Sequence, residues 1–233
     1  MTTPGTKQNA IKRVMLLMSP ATYRAAAFYE AAKGLGIETV SVVDMPDHLQ
    51  EYWGQSHGVD FSDAGRATTT IVELAKSDRV DALLSVDDSA TELAALAGSL
   101  LGVPHNAPDA AVAARDKFKM RSMLAAGGVR CPGFRTFPAG ADPRTYANEV
   151  TYPSVVKPTR LSGSRGVIRA NDADELIAAV NRLRAILTSD GTDLNTAGIL
   201  IEDYMPGEEV AVEGLLTDGE LHVLTIFDKP DPL

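Results

Sequence analysis

Cysteine is almost missing from this chain: Cys131 is the only one in 233 residues. One thiol cannot form an internal disulfide, which excludes the stapled frameworks of small secreted domains and makes a reducing cytoplasm the natural compartment. Long apolar runs are missing too. The early run Val14-Met15-Leu16-Leu17-Met18 is far shorter than a signal-peptide core or a membrane span. Basic charge is in deficit, with 22 Lys and Arg against 31 Asp and Glu for a net −9, and no local basic patch is evident. That balance repels nucleic acid and anionic membranes. Two phosphate-binding signatures are also absent. After Met18 the chain continues as Ser19-Pro20-Ala21-Thr22, without a Gly-x-Gly turn, and no Gly-x-x-x-x-Gly-Lys-Ser/Thr occurs anywhere. What remains is ordinary: 45% hydrophobic and 23% charged residues with no low-complexity tract, enough for two domains and part of a third.

Read in order, residues 1–10 are small and polar and are expected to form a loose tail. Val14 to Met18 reads as a buried strand, Thr22 to Leu35 as an Ala-rich helix stopped by Gly34 and Gly36, and Thr39 to Val43 as a second strand. Residues 44 to 64 show no clear period. Arg66 to Lys76 is helical and Ala82 to Val86 a strand. Ser89 with Glu92 fits a capping box for a helix ending at Gly102, followed by a short extended piece. The expectation is a doubly wound parallel sheet. Asp87 and Asp88 lie at its carboxyl edge, where open α/β sheets bind ligands, although capping the next helix is the favoured role.

A different style follows. Asp116-Lys117 opens a helix that runs to Gly127-Gly128, and Phe134 to Phe137 is strand-like. A helix is expected around Thr145 to Glu149, and a long one from Asp172 to Leu187. Between them, Tyr152-Pro153-Ser154-Val155-Val156-Lys157-Pro158 is an apolar strand ending in a Lys. The loop Ser162-Gly163-Ser164-Arg165-Gly166 follows. A strand-end Lys beside freely turning backbone can hold a polyphosphate by charge and by main-chain N–H groups; a hairpin with a surface Lys is the plainer alternative. Gly198 to Tyr204 is a buried strand ending in Glu202 and Asp203. Glu209 to Thr217 and Glu220 to Phe227 form a hairpin around Asp218-Gly219, the favoured pair for a type I′ turn. A two-residue turn pairs Leu215 with His222 and Glu213 with Leu224. Glu209 and Glu213 then share one face, about 13–14 Å apart at ~3.4 Å per residue, and that face is either a site or the solvent side.

In this order and spacing, Asp116-Lys117, Tyr152 to Pro158 with its Ser/Gly loop, Ile201-Glu202-Asp203-Tyr204 and Pro206-Gly207-Glu208-Glu209-Val210-Ala211-Val212-Glu213 resemble the ATP-grasp superfamily, in particular its carboxylate–amine ligases. The resemblance implies an α/β protein: a doubly wound pre-ATP-grasp domain over residues 11–115, an α+β ATP-grasp lid domain over 116–204, and the beginning of the carboxyl-terminal subdomain over 205–233. It makes Lys117 and Lys157 phosphate-contacting lysines and residues 162–166 the loop that closes over the phosphates, with Arg165 adding charge. Glu202, Asp203 and Tyr204 are similar to the segment that meets the adenine edge, Glu209 to the acid on the ribose hydroxyls, and Glu213 to a position near phosphates or substrate. Asp228-Lys229-Pro230 resembles a segment following the hairpin in dipeptide-ligase-like members. The cofactors implied are ATP and Mg²⁺, the partners small-molecule acids and amines such as amino acids, and the assembly a homodimer. In the family, acidic metal ligands and a substrate-positioning arginine come after this hairpin. A chain ending at Leu233 is therefore expected to stop within that subdomain, to hold a nucleotide weakly at best and not to turn over alone. An ATP-grasp carboxylase and a non-catalytic ATP-binding module are the alternatives.

Overall fold

The computed structural model describes residues 12–46, 48–49 and 57–229. The tail, Trp53 and Pro230 lie outside them. The chain folds as two compact units, the first ending at Arg115 and the second beginning at Asp116.

In the first unit four parallel strands run in the order β3-β2-β1-β4: β1 (Arg13–Met18), β2 (Glu38–Asp44), β3 (His57–Val59) and β4 (Ala82–Ser85). The central strand is apolar on both sides because both sides are covered. Met15 and Leu17 pack with Ile71 and Val72 of α2 (Ala64–Asp78) and Leu93 of α3 (Thr91–Leu101). Leu16 and Met18 face the other way, against Ala25 and Phe28 of α1 (Ala25–Gly34). The doubly wound reading is therefore correct, but three local expectations need correction. Helix α1 starts at Ala25 rather than Thr22, and its cap position, Arg24, makes no side-chain cap bond. Ser89 does not begin a capping box for α3, whose cap position is Ala90 without a side-chain bond. Asp87 instead caps a short 3₁₀ turn, Asp88–Ala90, and Ser89 donates to it. The piece after Pro104 leads into another helix, α4 (Pro108–Arg115), whose signal was a proline at the first helical position.

The second unit opens with α5 (Lys117–Ala126), capped by Asp116, whose carboxylate accepts from Phe118 N at 3.0 Å and Lys119 N at 3.1 Å. Its antiparallel sheet runs β5-β8-β6-β7, built from β5 (Phe134–Pro138), β6 (Ser154–Pro158), β7 (Ile168–Ala170) and β8 (Gly198–Asp203). Helix α6 (Ala173–Ser189) lays Leu176, Val180, Leu183 and Leu187 against Val156, Ala170, Ile199 and Ile201. Asp172 starts it, accepting from Glu175 N at 2.9 Å. Replacing that cap by Ala should lower the unit's stability by about 1 kcal/mol, read as a shifted denaturant midpoint with unchanged m-value. The helix expected at Thr145 to Glu149 is instead two 3₁₀ turns, Pro143–Thr145 and Ala147–Glu149.

A separate two-stranded sheet, β9 (Glu209–Thr217) with β10 (Glu220–Lys229), turns at Asp218 and Gly219, whose φ values of 51° and 83° are those of a type I′ turn. Leu215 does pair with His222, but Glu213 pairs with Thr225, not Leu224. The register shifts beside Gly214, where an added Cβ would lie 2.9 Å from His222 O, so the missing side chain permits the bulge.

Candidate functional site

Strand alternation divides the second unit's sheet. Ile199, Ile201 and Val156 face α6, so Glu202 on β8 and Lys157 on β6 emerge on the opposite face. There the Lys157 ammonium bonds Glu202 Oε2, and Arg121, one turn beyond Lys117 on α5, donates its Nε to Oε1. Glu202 is 4% exposed, Lys157 16% and Arg121 20%. Burial pushes the Glu202 carboxyl up, but the bonds from Arg121 and Lys157 outweigh it and hold it below its ordinary range. The same bond with Glu202 raises the Arg121 guanidinium.

Lys117 joins this cluster from the first turn of α5. Its main-chain N–H donates to Thr159 O at 2.8 Å, and its ammonium to Leu161 O at 2.7 Å. Burial, and then the charge of Lys157, lower its pKa. Lys117, Lys157 and Arg121 thus gather three cations around the single carboxylate of Glu202, with Asp116 at the start of α5, a surrounding that favours an anion.

The loop after β6 depends on left-handed backbone at Leu161, Gly163, Ser164 and Gly166. Gly166 is the tightest of these: its φ is +75° and an added Cβ would lie 2.5 Å from Cδ1 of the fully buried Leu183. Gly166→Ala should therefore destabilise the unit by about 1–3 kcal/mol, seen as a lower thermal midpoint. Arg165, expected to add charge to this loop, is engaged by an acid. Its guanidinium pairs with Asp190 at 2.8 and 3.2 Å, tying the loop to the residue after α6.

The remaining candidates are placed differently. Asp203 N donates to Gly133 O at 2.9 Å and Tyr204 N to Pro153 O at 3.0 Å, while Arg169 lies 4.1 Å over the Tyr204 ring. Glu209 and Glu213 stand on the exposed hairpin, with Glu209 paired to Lys229. Among the described residues, no hydrogen bond or ion pair joins either to the lysine cluster. Ser162, Gly163 and Ser164 lie in the loop itself.

In the first unit Asp87 is saturated rather than available. It accepts from Ser19 N at 2.9 Å, Ser19 Oγ at 3.0 Å, Ser89 N at 3.1 Å and Ser89 Oγ, binding the carboxyl ends of β1 and β4 together. A groove lined by Arg13, Tyr29, Lys33 and Glu38 sits at the amino ends of β1 and β2, the edge where such sheets do not bind ligands, and Glu38 already takes Arg13.

Arg121 was not among the sequence candidates, though two signals pointed to it. It lies four residues after Lys117, on the same helix face. Residues 116–170 also hold ten of the 22 Lys and Arg but only three of the 31 Asp and Glu. The net −9 concealed this concentration, which corrects the expectation of no local basic excess.

Two family models match in the order of the two units: an ATP-grasp N-terminal domain over residues 29–105 and an ATP-grasp domain over residues 150–232. The chain belongs to the ATP-grasp superfamily. It is 28% identical over 174 residues to an alanine–anticapsin ligase of Bacillus amyloliquefaciens, covering 68% of this chain and 37% of that one. It is 29% identical over 135 residues to a D-alanine–D-alanine ligase of Nitrosospira multiformis, covering 54% and 44%. The crystal structure of an L-amino acid ligase from Bacillus licheniformis superposes with a TM-score of 0.76 at 25% identity, covering 98% of this chain and 55% of that one. The chain thus spans little more than a third of the length of the first curated relative.

Proposed function

We propose that this chain forms the nucleotide-binding part of an ATP-dependent carboxylate–amine ligase. The observation that carries this is the Lys117, Lys157 and Glu202 cluster beside a loop in left-handed backbone, on a fold whose relatives include amino-acid ligases. The residues fit ATP: Lys117 has its ammonium on a carbonyl rather than an acid, Lys157 stands beside it, and the loop brings main-chain N–H groups at Ser162 to Gly166. Lys117 and Lys157 would hold phosphate oxygens, the backbone at Asp203 and Tyr204 the adenine edge, and Glu209 the ribose, with Glu213 near phosphates or substrate. Mg²⁺ is proposed on the family resemblance; among the described residues no group of three His, Cys, Asp or Glu could hold a metal ion.

ATP supplies an activating phosphoryl group. A carboxylate oxygen of the substrate attacks the γ-phosphorus and ADP leaves, giving an acyl phosphate. An amine nitrogen then attacks the acyl carbon, phosphate leaves, and a proton is lost from nitrogen as the amide forms. Phosphoryl transfer asks the protein mainly for positioning and charge neutralisation, which is what two lysines and a covering loop provide. Excluding water from beneath that loop protects the acyl phosphate from hydrolysis. The acid and amine are proposed to be amino acids, in line with the names of the relatives. No described helix is long and apolar enough to cross a membrane, and with a single cysteine the proposed compartment is the cytoplasm.

Two measurements test this. Titrating the chain with MgATP in a calorimeter should give saturable binding. Screening the intact gene product with ATP, Mg²⁺ and mixed amino acids should release ADP only when an acid and an amine substrate are both present. Saturable binding without ADP release in any mixture would favour an ATP-binding module.

A further inference from the structure

We propose that Arg121 is a positioning residue, holding the Glu202 carboxylate so that Lys157 can leave it for phosphate oxygens when a nucleotide binds. This rests on the ATP reading above. Lys157 is bonded to Glu202, so it cannot give its charge to a ligand without taking it from that acid. Glu202 is 4% exposed, too dry for water to replace the lost partner. Arg121 changes that balance. Its Nε holds Oε1 and its Nη2 lies 3.5 Å from Oε2, the oxygen bonded to Lys157. Once Lys157 moves away, a guanidinium already in place can serve both oxygens, because its fork matches a carboxylate. The carboxylate stays ionised and paired, and the lysine is released at little cost.

The charged and titratable groups around Glu202 are few. Arg121 and Lys117 approach from α5 and Lys157 from β6, while Cys131, before β5, touches the Arg121 guanidinium. In an Arg121→Met variant, Lys157 would be the only cation bonded to Glu202, and ATP would have to break that bond against an unpaired buried acid. Protonating Glu202 removes this competition. The variant should therefore recover affinity as pH falls, whereas an Arg121 that merely ties α5 to β8 would weaken binding equally at every pH.

The test is the ratio of MgATP dissociation constants, variant over wild type, measured on the whole chain between about pH 8 and about pH 5.5; the ratio cancels the titration of ATP itself. For Arg121→Met the expected ratio is about tenfold or more at the alkaline end, shrinking to about threefold or less at the acid end. Arg121→Lys should restore only part of the affinity, because an ammonium keeps the charge but lacks the fork that serves both oxygens. The double variant Arg121→Met/Glu202→Gln should bind more tightly than Arg121→Met and no more weakly than Glu202→Gln alone, and the second comparison decides the matter if Arg121→Met does not fold. An Arg121→Met ratio near one, a ratio flat with pH, or a double variant no better than the single would overturn the proposal while leaving the ATP site standing. A wild-type chain that does not bind MgATP would overturn the site reading and this inference with it.

Discussion

Lys157→Ala should weaken ATP binding by roughly 100-fold or to below detection, the largest functional effect expected of any single change in this chain. Lys157 is the penultimate residue of β6, a strand whose Val155 and Val156 are buried, and it pairs with Leu200 of β8, so its Cα is held by the sheet. The side chain is 16% exposed, so a phosphate meeting its ammonium would do so with little water between them. The variant leaves Glu202 bonded to Arg121 and should remain folded. Calorimetric titration with MgATP, together with a thermal melt showing the fold intact, provides the comparison. A folded Lys157→Ala chain that binds ATP with wild-type affinity would remove the phosphate assignment. Lys117→Ala is a useful second variant, because Lys117 reaches the loop carbonyl of Leu161 rather than an acid.

Glu202→Gln is expected to have the largest effect on stability. Removing one member of a buried ion pair typically costs about 3–5 kcal/mol, and here the low end applies because Lys157 and Arg121 keep 16% and 20% exposure. The dependence on pH follows from direction alone. Glu202 has its carboxyl pKa lowered in the folded chain from a reference of 4.5. The unfolded state therefore binds its proton first as pH falls, and the stabilisation is complete above the unfolded value and lost through the lower folded one. Wild type and Glu202→Gln should thus differ most near neutrality and converge below about pH 4. Urea unfolding at several pH values, followed by circular dichroism, would show this. Parallel curves offset by a constant amount would mean that Glu202 acts through shape rather than charge.

The elements were largely legible because their signals are local. A buried strand such as Val14 to Met18 needs only a continuous apolar run, and α6 only apolar residues at helical spacing after an Asp cap. The Asp218-Gly219 turn was readable because few other pairs tolerate two successive positive φ values. Errors came where a neighbouring residue overrode a simple spacing rule. Ser89 has the spacing of a capping box, but the Asp87 carboxylate, which also takes Ser19, claimed its hydroxyl. Glu213 was given the wrong opposite residue because alternation counts residues and does not see the bulge beside Gly214.

For the site the division is similar. Sequence alone determined which residue types were available and on which elements: a lysine at a strand end, a second opening a helix, a Gly- and Ser-rich loop between strands, and an acid closing another strand. Tertiary structure decided which of them meet. Lys157 and Glu202 are 45 residues apart and meet because β6 and β8 are adjacent antiparallel strands whose alternation puts both on the face away from α6. Arg121 reaches the same acid from 81 residues away, across the packing of a helix on a sheet. Arg165, within the expected phosphate loop, is drawn to Asp190. Spacing along a chain fixes a residue's face within its own element, but which charge neutralises which depends on the packing of elements, and that is a property of the folded sheet.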